Sequence, residues 1–121
     1  MKEPGPDHPI AIEPYPGRVR VLVGGTAVVE TTRALSLKEA SYDPVLYVPR
    51  EDARFDLLAK NARTTHCPYK GEASYYDITV DGDTRRAAVW SYEEPFPAVA
   101  AIQRHLAFYK DRVDAIEQEP A

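Results

Sequence analysis

The stretch "GEASYYDITVDGDTRRAAVWSY", residues 71–92, decides the fold of this chain. At its centre, residues 81–83 read Asp-Gly-Asp. This is a strong β-hairpin signal, because Asp-Gly pairs adopt the positive φ angles that tight turns require. The flanking segments are rich in tyrosine, valine and threonine, which are typical of β-strands. We therefore predict two antiparallel strands, at residues 71–80 and 84–92.

The register of this hairpin predicts an aromatic surface. A two-residue turn at residues 82–83 places Tyr75 directly across from Trp90, whereas a three-residue turn places Tyr76 on the Trp90 face. In both cases Trp90 faces a tyrosine, and Tyr92 lies two residues along the strand. Tryptophan and tyrosine carry polar groups that need partners when buried, so they suit the wall of a pocket. The alternative, that these rings belong to an ordinary core, stays open.

Alternating apolar and polar residues predict six further short strands. They lie at residues 18–23, 26–32, 34–40, 45–48, 106–109 and 113–117. Gly24-Gly25 is expected to form a tight turn between the first two, and the last two are expected to pair around residues 110–112. Short helical turns are expected within residues 49–61 and 98–106. Together these elements predict a mainly β fold, a small antiparallel two-sheet domain with one or two short helices.

Residues 1–17 are a different kind of segment, because they hold five of the eleven prolines and show little periodicity. We interpret them as an extended, proline-rich N-terminal arm, and residues 18–121 as a single domain. Ile10, Ile12 and Tyr15 would allow the arm to lie across that domain.

Composition excludes several classes of function. The chain has 121 residues, of which 44% are hydrophobic and 28% charged, as expected for one soluble domain. Its net charge of −4 argues against nucleic-acid binding. It contains no apolar run of about 20 residues and no signal-peptide pattern, so we expect a cytoplasmic protein with no membrane partner. A single cysteine excludes an internal disulfide and a Cys-x-x-Cys zinc knuckle. We expect no cofactor, and a homodimer is compatible with the sequence.

The segment "THCPYKG" contains the candidate reactive groups Cys67 and Lys70. His66 and Cys67 are adjacent and would point opposite ways on an extended segment, so a metal site is not expected. A nearby Lys70 or His66 would lower the thiol pKa of a nucleophile, but a lone cysteine is more often a small buried hydrophobe. Lys70 would direct its ammonium group to an anionic group while Gly71 admits close backbone approach; the alternative is a solvated lysine at a turn. Glu93-Glu94 is interpreted as a solvated strand end.

Several blocks of the sequence are characteristic as a set: "ALSLKEA", "YDPVLYVPREDA", "TTHCPYKGEASYYDI", "AAVWSYEEPFPAVAAI" and "HLAFYKDRVDAIE". Together, over residues 18–117, they resemble the bacterial domain-of-unknown-function family 427. The resemblance implies a β-tent-like fold, similar to that of methionine-R-sulfoxide reductases and the ligand-binding domain of cereblon. Those proteins bind structural zinc with two cysteine pairs, which this chain lacks. The family is sometimes labelled a nucleotidyltransferase domain, but no acidic pair on neighbouring strands supports that activity here.

The resemblance also identifies characteristic positions. Carried onto this chain, they are Glu39, Tyr47, Pro49, Cys67, Pro68, Lys70, Gly71, Trp90, Tyr92 and Tyr109. Lys110 departs from the proline expected there, within a turn.

These observations predict a small-molecule-binding domain with an aromatic cleft. The predicted ligand-binding residues are Glu39, Tyr47, Lys70, Tyr75, Trp90, Tyr92 and Tyr109, with Cys67 at the cleft wall. Lys70 and Glu39 would be its polar anchors. One alternative is an enzyme that uses Cys67 or Lys70 on a nucleotide-like or electrophilic metabolite. The other is a structural or protein-interaction module that pairs through the arm or an edge strand.

Overall fold

A computed structural model of the chain describes residues 1–120, which contain ten β-strands and three short 3-10 helices. The strands are β1 (Ile10–Pro14), β2 (Gly17–Val23), β3 (Thr26–Thr31), β4 (Leu35–Glu39), β5 (Val45–Tyr47), β6 (Leu58–Cys67), β7 (Gly71–Val80), β8 (Asp83–Ser91), β9 (Ala107–Phe108) and β10 (Ala115–Pro120). The helices span Arg50–Asp52, Phe55–Leu57 and Pro97–Ile102. The prediction of a small, mainly β domain is therefore confirmed.

The strands form three antiparallel sheets, with the orders β1-β4-β5, β10-β2-β3 and β6-β7-β8-β9. This is one sheet more than the two-sheet arrangement expected from the sequence. The additional sheet forms because part of the proline-rich arm, Ile10–Pro14, pairs with β4, which also pairs with β5. Pro14 is tolerated there because β1 lies at the edge of its sheet. The arm thus pairs within its own chain; pairing of the arm with a partner stays a prediction.

β6 was not predicted, whereas the short helical turns expected within residues 49–61 are present as Arg50–Asp52 and Phe55–Leu57. The pairing of β6 with β7 shifts between Asn61 and Thr64, and that irregularity breaks the alternation that would reveal a strand. β6 is also an edge strand that leaves many side chains exposed, so it carries little apolar pattern.

The expectation that the last two strands pair with each other is wrong. β9 pairs with β8, and β10 pairs with β2. The backbone explains the separation: the Tyr109 N–H donates to the Ala88 carbonyl at 3.0 Å, while the Asp114 N–H donates to the Leu22 carbonyl at 2.9 Å. The chain between them crosses from one sheet to another instead of turning back as a hairpin.

The β7–β8 hairpin begins with the predicted tight turn. Val80 pairs with Asp83, so the turn residues are Asp81 and Gly82, whose φ angles of 50° and 81° are those of a type I′ turn. If β7 and β8 paired without interruption from this turn, Tyr75 would not lie opposite Trp90.

A bulge in β8 changes that register. Ile78 pairs with Arg85 but Tyr76 pairs with Val89, so three residues of β8 lie opposite Asp77 alone. Beyond the bulge, Tyr75 lies directly across from Trp90 as predicted. The predicted pairing is correct, but it arises from the bulge and not from a turn at residues 82–83.

The four-stranded sheet has a hydrophobic core on each face. Tyr76, Ile78 and Val80 of β7 join the first core, which contains the valines of β2 and β3. Ala73 and Tyr75 alternate with them and join the second core. The second core also contains β4, β5 and Pro97–Ile102 residues. The predicted aromatic site lies on this second face.

Candidate functional site

The residues predicted to bind a ligand lie around one cleft. All seven of them, Glu39, Tyr47, Lys70, Tyr75, Trp90, Tyr92 and Tyr109, line a space of about 220 Å³. Sequence reasoning missed four further lining residues: Leu37, Tyr42, Asp43 and Val45. Leu37 and Val45 were predicted only as strand residues, and the loop that carries Tyr42 and Asp43 has no periodic pattern. Ligand binding by these residues stays a prediction.

Four aromatic rings meet at the wall of the cleft. The Trp90 and Tyr109 ring centroids are 4.5 Å apart with the planes tilted by 46°. The Tyr75 and Tyr109 rings are nearly parallel at 6.4 Å, and Tyr47 meets Trp90 edge-on at 6.3 Å. The Trp90 Nε1–H donates to the Tyr47 hydroxyl at 3.3 Å. These contacts orient the Trp90 ring and satisfy its polar atom without a ligand.

The phenol groups are neutral hydrogen-bonding groups. Burial raises the pKa of both Tyr47 and Tyr92 above the usual value. For Tyr109, burial and a hydrogen bond with the Tyr75 hydroxyl raise the pKa to about 12. The Tyr75 hydroxyl is 2.8 Å from the Thr65 hydroxyl and 3.4 Å from that of Tyr109.

The Tyr92 hydroxyl makes no hydrogen bond with any of residues 1–120, although the side chain is only 7% exposed. Among these residues, every fully enclosed side-chain nitrogen or oxygen has a partner. The Tyr92 hydroxyl is therefore open to the cleft and free to bond a ligand.

A partly enclosed ion pair supplies the charges of the cleft. The Lys70 ammonium group donates to Glu39 Oε1, and these two side chains are 10% and 15% exposed. Burial alone would raise the pKa of Glu39, but hydrogen bonds from Lys70 and His8 outweigh it and hold the pKa below its usual value. The Lys70 Nζ also lies 5.9 Å from the centre of the Tyr92 ring. Glu39 is thus a carboxylate whose charge is compensated by Lys70.

His8 is a site residue that sequence reasoning missed. Its Nε2–H donates to Glu39 Oε2 at 2.7 Å, and its ring stacks on Tyr69 with centroids 3.9 Å apart. Two backbone hydrogen bonds hold the arm at this place. The Lys2 N–H donates to the Pro68 carbonyl, and the Ala40 N–H donates to the Pro9 carbonyl. No sequence pattern pointed to His8, because its partner lies 31 residues away.

Cys67, whose thiol was expected at the cleft wall, is not among the residues that line the cleft. It is the last residue of β6, pairs with Gly71, and packs half-buried against the second core. The neighbouring His66 points away, toward Glu72 at 3.6 Å, as expected for adjacent residues on a strand. A catalytic role for Cys67 or Lys70 stays a prediction, and only Lys70 of the two lines the cleft.

Gly71 has a different role from the one expected. A Cβ at this position would lie 3.5 Å from the Glu94 carbonyl oxygen, which is an ordinary contact. Its φ of 113° is instead a conformation that other residues rarely adopt. The glycine therefore allows the chain to turn into β7 directly after Lys70, whose carbonyl accepts from the Phe96 N–H at 3.0 Å.

Glu93 is not a solvated strand end. It accepts hydrogen bonds from the Tyr76 hydroxyl at 2.7 Å, Lys60 at 3.0 Å and Arg50 at 3.2 Å. Burial alone would raise the pKa of Glu93, but these hydrogen bonds outweigh the effect of burial and lower the pKa to about 2. This cluster joins β6, β7 and the end of β8 at a place outside the cleft.

Within residues 1–120, no three His, Cys, Asp or Glu side chains are grouped so that they could hold a metal ion. In the same part of the chain, no helix has the length and apolar character that crossing a membrane requires.

Comparison with known families gives one match. The family model described as "Domain of unknown function (DUF427)" matches residues 11–119, which is most of the chain. The match includes all of β1 except Ile10, so it extends into the proline-rich arm. No curated protein matches this sequence.

Proposed function

The chain belongs to the DUF427 family, and we propose that it is a small-molecule-binding domain of β-tent-like architecture. Its ligand is a neutral, planar molecule with a hydrogen-bond acceptor. The observation that carries this proposal is the cleft, in which aromatic side chains surround the Lys70–Glu39 ion pair and the free Tyr92 hydroxyl. Apolar walls with a few convergent polar groups are typical of ligand sites.

The size of the cleft limits the ligand. A volume of about 220 Å³ lies below the roughly 300 Å³ at which pockets for drug-sized molecules begin. The tilted faces of Trp90 and Tyr109 suit a planar ring, because offset aromatic contacts are favourable beyond the area they bury. A ligand portion with a single ring matches both features.

The charges of the cleft favour a neutral head group. An anionic ligand would either displace Glu39 from Lys70 or lie beside the Glu39 carboxylate and be repelled by it, and Glu39 is also held by His8. A neutral carbonyl oxygen can instead accept from a remaining Lys70 N–H and from the Tyr92 hydroxyl, with the ion pair intact. Separating a partly buried ion pair leaves an uncompensated charge, so the neutral acceptor has the smaller cost.

Fluorescence provides a direct test, because Trp90 is the only tryptophan of the chain. One-ring amides and ketones, each with its matched carboxylate, are titrated while Trp90 emission is recorded. We expect a saturable change for neutral compounds and weaker binding of the carboxylates. If no compound changes the emission saturably, or if carboxylates bind better throughout, the proposal is wrong.

A single-atom variant sharpens the test. Tyr92→Phe removes only the free hydroxyl, so we expect the affinity of a carbonyl compound to fall about 2- to 10-fold. Tyr15→Phe is the matched control, because Tyr15 packs against the first core, away from the cleft. Equal affinities of the Tyr92→Phe and Tyr15→Phe proteins would remove the hydroxyl from the binding site.

A further inference from the structure

We infer that the cleft is one part of a two-part site, whose ligand also carries an apolar chain that lies in an adjoining groove. This inference rests on the proposed function and specifies its ligand as amphipathic: a neutral one-ring head joined to a hydrocarbon chain. The argument depends on the chemistry of the groove, its connection to the cleft and the charges at its rim.

The groove has a volume of about 460 Å³ and is bounded by strands of all three sheets. Its floor is formed by Val19 and Val21 of β2, which are 0% and 1% exposed and belong to the first core. Leu46, Phe108 and Ile116 form its apolar sides. A hydrocarbon chain placed there would be removed from contact with water. It has no hydrogen-bonding groups, so the apolar walls satisfy it.

The groove and the cleft share part of their boundary. Asp43, Val45, Trp90 and Tyr109 line both spaces, so at most one layer of side chains separates them. Trp90 and Tyr109 therefore contact a ring held in the cleft and also the start of a chain that leaves it. This shared boundary argues for one ligand with two parts.

Charge at the groove rim also favours a neutral chain. Asp43 and Lys110 bring one charge of each sign to the groove, and Gln118 adds an uncharged polar side chain. A charged extension would gain from one rim residue and be repelled by the other, whereas a hydrocarbon chain is indifferent to both. The groove thus adds affinity through chain length and not through charge.

The test uses benzamide and its 4-ethyl, 4-butyl and 4-hexyl derivatives, with binding followed by Trp90 emission. Burial of one methylene contributes about 0.8 kcal/mol, so we expect about fourfold tighter binding for each added methylene until the groove is full. Benzamide binding with no gain from the chain would overturn the two-part site and leave the proposed function standing. Absence of binding by every member would refute both.

A matched pair of variants separates groove binding from nonspecific hydrophobic association. Ile116 lines the groove and not the cleft, so Ile116→Asn is expected to reduce the gain per methylene while benzamide itself binds as before. Leu58→Asn is the control, because Leu58 packs against the same core but lines neither space. An unchanged gain in a folded Ile116→Asn protein would contradict the inference.

A second measurement does not depend on any variant. A 4-alkylbenzamide with a diazirine at the end of its chain is bound to the wild-type protein and photolysed. Peptide mapping is expected to find the label on groove residues of β9 or β10. Labelling confined to the arm or to the β6 edge, or scattered over the surface, would overturn the placement of the chain.

Discussion

Replacing Asp77 tests the link between the hairpin bulge and the aromatic site. Asp77 Oδ1 accepts from the Ala87 N–H at 2.7 Å and from Asn61 Nδ2 at 2.8 Å. Ala87 lies inside the bulge with a φ of 48°, which costs a non-glycine residue roughly 1–2 kcal/mol. The carboxylate of Asp77 therefore stabilises a backbone conformation that would otherwise be unfavourable, and it also ties β6 to the same point.

The magnitude follows from these two hydrogen bonds. A hydrogen bond to a charged group contributes about 1.5–3 kcal/mol when enclosed. Because Asp77 is only half-buried, we expect Asp77→Ala to lower the free energy of unfolding by about 2–3 kcal/mol for both bonds together. That corresponds to a decrease in Tm of roughly 8–12 °C for a domain of this size. Asp77→Asn keeps an acceptor oxygen but loses the charge, so a loss of about 1 kcal/mol is expected.

The pH dependence has a definite sign. The Ala87 N–H and Asn61 hold the pKa of Asp77 below its usual value, although burial acts in the opposite direction. The Asp77 carboxylate therefore contributes its full stability above the pKa of about 3.9 that it has in the unfolded chain. This contribution is lost as the pH falls through its lower pKa in the folded protein. The difference between wild type and Asp77→Asn should be constant near neutral pH and shrink below about pH 4.

The assay is urea unfolding followed by Trp90 fluorescence, which also reports the register. If β8 lost its bulge and continued in the register of the turn, Trp90 would move by two residues relative to Tyr75, roughly 6–7 Å. We therefore expect a shifted native emission maximum in Asp77→Ala, with partial recovery in Asp77→Ala/Ala87→Gly, because glycine tolerates the positive φ. A stability change below about 0.5 kcal/mol with an unchanged native spectrum would refute this reasoning.

Three further changes test other parts of the molecule. Glu93→Gln should destabilise by about 1–3 kcal/mol at neutral pH, and urea midpoints should show that the difference disappears as the pH falls from about 4.5 to about 2. Gly71→Ala should lower the free energy of unfolding by about 1–3 kcal/mol, measured by thermal melting, because of its positive φ and although a Cβ would fit the space. Gly82→Asn should lower it less, because asparagine is accepted in that turn. His8→Ala should raise the pKa of Glu39, measured by carbon NMR of the carboxyl group; no change would contradict the contact.

The elements with a regular pattern were predictable. Alternating valines in β2 and the Gly24-Gly25 turn identified the β2–β3 hairpin, because a half-buried strand must place its apolar residues at every second position. Asp-Gly at the other turn identified the β7–β8 hairpin equally well. Its bulge had no such signal, since it is held by hydrogen bonds that no local pattern shows: Asp77 accepts from the Ala87 N–H across the strand pair and from Asn61 of β6.

The aromatic residues of the candidate site and its polar residues Lys70 and Glu39 were predicted, whereas His8 was not. Trp90 and Tyr75 lie on paired strands, so their proximity was predictable, although their direct pairing depends on the bulge. His8 and Glu39 meet only because β1 pairs with β4, and β1 was hidden by the prolines of the arm. Cys67 packs against the second core, as the more frequent behaviour of a lone cysteine suggests, and its catalytic role stays a prediction.

The arm explains why the cleft keeps its ion pair oriented. A carboxylate held by Lys70 alone could rotate about its side-chain torsions and follow the ammonium group toward a ligand. Glu39 instead has one oxygen on Lys70 and the other on His8, while its backbone is fixed opposite Ile10 in the β1–β4 pair. Bonds to both oxygens fix the plane of the carboxylate, and the remaining N–H groups of Lys70 are left for the cleft. The arm therefore supports the proposed binding cleft, because the orientation of the Glu39 carboxylate depends on His8.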